Sequence, residues 1–175
     1  QDAMPSPLSA IIRAMHDSLK LWAEDVEGAA GGVSIAADEE EGLDLLAESP
    51  RAWRLILWAG GEAPKAAVSD DLVATTIRLG VSMARGLKVQ PGLDLIQGRG
   101  NMPPILDVID GVIRKARGLH VSVATPPLNA SDCYLLRYRG WQWVNFLMGA
   151  KHHSARIDFT MDRQIQQRDP LRVVL

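Results

Sequence analysis

Residues 51–58 read Arg-Ala-Trp-Arg-Leu-Ile-Leu-Trp, and residues 72–85 read Leu-Val-Ala-Thr-Thr-Ile-Arg-Leu-Gly-Val-Ser-Met-Ala-Arg. In the second stretch Val73, Thr75, Ile77, Leu79, Val81 and Met83 fall at alternate positions, with Thr76, Arg78, Gly80 and Ser82 between them. A strand turns successive side chains to opposite faces, so this is one apolar face and one more polar face. The first stretch repeats the pattern more weakly. Trp53, Leu55 and Leu57 share one side, and Arg54, Ile56 and Trp58 the other. Gly60-Gly61-Glu62-Ala63-Pro64 lies between the two stretches and reads as a turn-forming insert. Two long antiparallel strands with one buried face are expected, and the rest of the chain must cover that face.

Two segments have the periodicity to do so. Leu8, Ile11, Ile12, Met15, Leu19 and Trp22 recur at spacings of three and four, which makes residues 6–24 an amphipathic helix. Ser6 suits its N-cap and Pro7 its first position. Its polar side is not rich in Lys and Arg, which argues against membrane-surface binding. Residues 103–117 form the second helix, with Ile105, Ile109, Val112, Ile113 and Ala116 inward. Pro103 and Pro104 open it, Gly118 closes it, and Arg114, Lys115 and Arg117 suit the negative end of its dipole.

The closing part returns to strands. His120–Val123 is a short one. Cys133–Val144 places Tyr134, Leu136 and Tyr138 on one face and Leu135, Arg137 and Arg139 on the other, with Trp141 and Trp143 after Gly140. Ala155, Ile157, Phe159 and Met161 alternate with Arg156, Asp158, Thr160 and Asp162 in a last strand. The fold class expected is α+β, a mainly antiparallel sheet with two helices packed on one face. Residues 1–175 read as a single domain, with a core over about 6–165 and a tail over 166–175.

Residues 28–50 and 86–104 read as loops. The first holds the acidic run Asp38-Glu39-Glu40-Glu41, whose adjacent carboxylates lack the spacing of a calcium loop. Leu43, Leu45 and Leu46 suggest a short turn of helix or a strand anchoring it. The second holds Gly98-Arg99-Gly100, which lacks the third glycine of a dinucleotide fingerprint and the ending of a P-loop.

The bulk composition, 47% apolar and 23% charged, is that of a globular protein. No apolar run approaches the roughly 20 residues of a membrane span, and no signal peptide is expected. Cys133 is the single cysteine, so no internal disulfide forms, which suits a reducing compartment. The net charge of −2 is unevenly spread: residues 1–88 hold 8 basic and 14 acidic side chains, and residues 89–175 hold 11 and 7. That polarity favours head-to-tail association or simply reflects chance over one surface.

Catalytic constellations are missing. His152 and His153 are adjacent and would point to opposite faces of a strand, and His16 and His120 read as surface or packing histidines. Neither Gly-x-Ser-x-Gly nor His-Glu-x-x-His occurs. No enzyme activity, cofactor or metal is expected. What remains is a set of arginines on the less apolar strand faces, Arg54, Arg78, Arg137, Arg139 and Arg156, accompanied by Trp58, Trp141 and Trp143. Such side chains are enriched at protein–protein contacts. The alternative is cross-strand pairing with acids such as Asp158 and Asp162.

The order helix, long loop, two long strands, loop, helix, two strands resembles the tail terminator proteins of long-tailed bacteriophages. The match runs through Arg51–Trp58, Asp71–Ala84, Pro104–Arg117, Tyr134–Val144 and Ala155–Ile165, and rests on element order. The resemblance implies a virion protein of the tail or neck, assembled in the bacterial cytoplasm. It implies a homo-oligomer, a hexameric ring that seats on the tail tube protein, stops tube polymerisation and presents a surface to a head–tail connector or neck protein. DNA would pass through the ring without specific binding, so its bore should lack a strongly basic stripe. The acidic run at 38–41 would suit the bore. A head–tail connector or tail-completion protein is the nearest alternative. A small phosphate- or nucleotide-binding domain using Gly98–Asn101 is the more distant one.

Overall fold

The structure, a computed structural model, describes residues 7–27, 32–47, 54–66, 69–84, 91–98, 103–117, 120–122, 133–144 and 152–164. Eleven elements follow in order: α1 Pro7–Glu27, β1 Val33–Ile35, α2 Glu39–Ala47, β2 Arg54–Ala66, β3 Ser69–Ala84, α3 Pro91–Asp94, α4 Ile105–Arg117, β4 His120–Ser122, β5 Cys133–Leu135, β6 Arg137–Trp143 and β7 His152–Gln164. A five-stranded sheet has the order β1-β2-β3-β7-β6, and β4 and β5 form a separate two-stranded sheet. Among the described residues only β1 runs parallel to its neighbour. The α+β class and the mainly antiparallel sheet therefore hold.

The alternation in β3 and β7 locks their register. Leu79 stands opposite Ile157, Ile77 opposite Phe159 and Val81 opposite Ala155. All six are fully buried, together with Leu55 and Leu57 of β2. A one-residue slip would turn this whole set to the other face, so burial fixes the pairing. α1 brings Ile11, Met15, Leu19 and Ala23 to this face, and α4 brings Ile105, Val108, Ile109, Val112 and Ala116. Each fully buried large aliphatic side chain contributes about 1.5–3 kcal/mol. Leu8, Ile12, Trp22 and Ile113, expected inside, are half-buried at the margin of the core.

Three sequence expectations need correction. The Gly60–Pro64 insert is not the turn: β2 continues through it to Ala66, and the chain reverses between Ala66 and Ser69. The register shifts at Ala59/Gly61, where Gly61 has φ +108°, which a side chain would strain. Among the described residues no strand flanks β2 on its outer side beyond Trp58, since β1 pairs with Leu55–Leu57. Pro64, paired with Val73 of β3, lies on this edge strand, where proline is best tolerated.

The loop at 28–50 contains β1 and a nine-residue helix, α2. That helix is additional to the two expected on one face of the sheet. α1 and α4 share that face, as expected, while α2 covers part of the other. Leu46 and Ala36 pack there on Ile56 and Trp58 in a second, smaller core. The continuous strand expected over 133–144 is also divided. It breaks at Leu136, where β5 leaves to pair with β4 and β6 joins β7. Ser6, Trp53, Gly118 and the tail lie outside the described residues.

Candidate functional site

The second face of the sheet carries most of the polar side chains singled out above. α2 reaches it by a local device written in the acidic run. Asp38 Oδ1 accepts from the Glu41 backbone N–H at 2.9 Å, and Glu41 Oε2 accepts from the Ala37 N–H at 2.9 Å. The first bond caps an amide that the first turn would leave unpaired, and the second ties the residue before the cap back to the helix. Glu39, Glu40 and Glu41 also complement the positive end of the helix.

The cap directs Glu39 at the sheet. Its Oε2 lies 2.9 Å from Arg78 Nη1, and its Oε1 accepts from Arg156 Nη1. Arg78 and Asp158 are opposite partners on β3 and β7, and Asp158 Oδ1 is 3.4 Å from Arg78 Nε and 3.2 Å from Arg156 Nε. Two guanidiniums and two carboxylates thus form one neutral cluster between α2, β3 and β7. The Nε contacts to Asp158 are ion pairs without hydrogen-bond geometry.

α2 also seals an apolar contact. Trp58 is fully buried between Gly42 of α2 and Gly80 of β3. A Cβ at 42 would come within 2.7 Å of Trp58 Cε3, and one at 80 within 2.9 Å of Leu46 Cδ1. Position 42 therefore requires glycine for close approach to the Trp58 ring, while at 80 the nearest atom is the end of the Leu46 side chain. Ser82 Oγ donates to the Leu46 carbonyl at 2.9 Å and fastens the end of the helix. Trp58 Nε1 has no hydrogen-bond partner among the described residues.

The expected contact residues thus separate. Trp58 is core and cannot meet a partner. Arg78 and Arg156 are held by Glu39 and Asp158. Arg54 is half-buried and donates to Ser34 Oγ of β1 at 3.0 Å. Trp141 and Trp143 stand edge to face, with centroids 5.0 Å apart, and pack against the main core. Arg137 and Arg139 remain exposed on the edge strand β6. Arg137 reaches Asp162 only at 3.9 Å, and Arg139 Nε donates to the neutral Thr160 Oγ1 at 2.7 Å. Tyr138, between them in sequence, turns to the other face and packs against Phe159, at a centroid distance of 6.0 Å.

The far end of β2, β3 and β7 carries polar groups on both faces. Glu62 accepts from Thr75 Oγ1 at 2.8 Å and from Arg163 through two guanidinium nitrogens. The Arg163 hydrogen bond holds the Glu62 carboxyl below its ordinary pKa, outweighing the opposite effect of partial burial. On the other face Lys65 pairs with Asp162.

The histidines behave as packing groups where they are described. His16 Nε2 donates to the Val33 carbonyl at 3.0 Å, tying α1 to β1. His153 is buried and His152 is half-buried. Among the described residues no group of three potential metal ligands occurs, and no helix is long and apolar enough to cross a membrane. Of the glycine-rich loop, Arg99, Gly100 and Asn101 lie outside the described residues.

Sequence reasoning missed Glu39 as the partner of two arginines. The signal was present: Asp38, with Glu41 three residues on and Leu43 and Leu46 after it, is a helix-start pattern.

No protein-family model matches this chain, and neither does any curated protein. A solved structure superposes on 93% of this chain and 99% of its own length, with a TM-score of 0.47 and 12% sequence identity. A likeness at that level carries no functional inference.

Proposed function

We propose that the chain is a structural subunit of a phage or phage-like tail, a tail terminator that assembles into a ring on the end of the tail tube. Its work is binding. The ring stops tube polymerisation and offers a surface to the neck, and DNA passes through without specific recognition.

The observation that carries this reading is the element order in space. α1 and α4 cover one face of a sheet made of the β2–β3 and β6–β7 hairpins, the arrangement the resemblance implies. The exposed arginines on β6 add a surface suited to a subunit contact. A head–tail connector or tail-completion protein would share these features and differ in the ring it binds.

The test is tube growth. Purified protein is added to polymerising tail-tube subunits from the same virus, and tube length is read by electron microscopy. Capped tubes with the protein at one end support the reading. Tubes of unchanged length carrying no added density contradict it.

A further inference from the structure

The neutral cluster on the second face accounts for Glu39, Arg78, Arg156 and Asp158, and leaves two sets of charges over. On β6, Arg137 and Arg139 are exposed and only weakly engaged within the chain. On α2, Glu40 and Asp44 are exposed and lie four residues apart on one helix side. Like charges at that spacing destabilise a helix. Residues 36–47 contain no basic side chain that could offset them. No ion pair joins either carboxylate to a described residue.

We infer that the exposed edge of β6 is a docking surface for a second copy of this chain, and that Arg137 and Arg139 receive Glu40 and Asp44 of the neighbour's α2. Charge complementarity argues for this occupant. The two arginines on β6 and the two carboxylates on α2 have opposite sign. They sit on different elements, since α2 packs on β2, β3 and β7 while β6 lies beyond β7 at the sheet edge. Where the two patches of one subunit meet two different neighbours the contact is heterologous, and repeated copies then close into a ring or run on as a filament. The Glu40 and Asp44 carboxylates thereby belong to a subunit contact, not to the bore of a ring.

The mode is side-chain docking and not strand addition. β6 carries a register shift at Tyr138/Gly140 and two arginines, both of which discourage edge-to-edge pairing. The arginine guanidinium also matches carboxylates in paired geometry, which a lysine would not.

This inference rests on the ring reading, and the experiment separates the two. Three variants are compared with the unmodified chain by light-scattering mass, alone and with tube protein: R137E/R139E, E40K/D44K, and the four substitutions combined. The changed residues are exposed, and circular dichroism checks that each variant folds. Either double variant should need at least about tenfold more protein to assemble, and the combined variant should recover assembly. If the unmodified chain assembles and both double variants match it, the docking surface is wrong while the ring reading stands. Loss in both doubles without recovery in the combined chain also overturns the pairing. A chain that stays monomeric with and without tube protein overturns both.

Discussion

Gly42 of α2 lies directly over the indole of Trp58, so close that a methyl group at 42 would sit 2.7 Å from Trp58 Cε3. The Trp58 ring is fully buried and has no free end to yield. Gly42→Ala should therefore push α2 off the sheet. Overpacking costs about 1–3 kcal/mol, against a helix-propensity gain of up to about 1 kcal/mol. The expected net loss is about 1 kcal/mol in a denaturant melt. Amide exchange should accelerate across Glu39–Ala47 more than in α1 or α4. An unchanged or raised stability would mean that α2 does not depend on this contact.

Glu39 holds Arg78 and Arg156 together, so Glu39→Gln leaves two guanidiniums facing Asp158 alone. The expected cost is about 1–2 kcal/mol, below that of a fully buried pair because solvent reaches Glu39. Arg78→Glu places a third carboxylate beside Asp158 and should weaken the fold, not only any association. A chemical melt on each variant checks this. If Arg78→Glu folds with unchanged stability yet fails to assemble, Arg78 is a contact residue as the sequence first suggested.

The main core should respond more strongly than the α2 patch. Ile157 is fully buried on β7, opposite Leu79 of β3. Ile157→Ala should cost about 2–5 kcal/mol, through lost burial and the cavity left behind. A loss under about 1 kcal/mol would contradict the packing described.

Glu62 predicts a dependence on pH. Its folded pKa is lowered from the ordinary value of 4.5, chiefly by the Arg163 hydrogen bond. A lowered folded pKa contributes stability that is fully present above the unfolded pKa and lost as pH falls through the folded one. Glu62→Gln should thus be less stable than the unmodified chain near pH 7, and the gap should narrow once pH falls below the ordinary value. Urea melts at several pH values measure the gap. A gap that is constant with pH would remove the Glu62–Arg163 contribution.

The parts of the fold legible in the sequence are those where one face is buried and the other is not. Ile77–Met83 and Ala155–Met161 alternate with period two because α1 and α4 cover only one side of β3 and β7. The β2 strand hides this signal. Ile56 and Trp58 are buried by α2 while Leu55 and Leu57 are buried by the main core, so both faces are apolar. Trp58 therefore looked like a contact residue. α2 itself was obscured by Gly42, a poor helix former kept for close approach, although Asp38 and Glu41 carry a helix-start pattern. The candidate contact arginines were legible as a group. Their division into paired and exposed members required the Glu39 position, which no strand periodicity encodes.

The measurement that tests the central claim most directly is the mass of the protein in solution, by light scattering over a range of concentration and salt. The ring reading predicts a discrete species near six times 19.1 kDa, alone or on mixing with tube protein. A mass that stays at 19.1 kDa under every condition, with tube protein present, would contradict it.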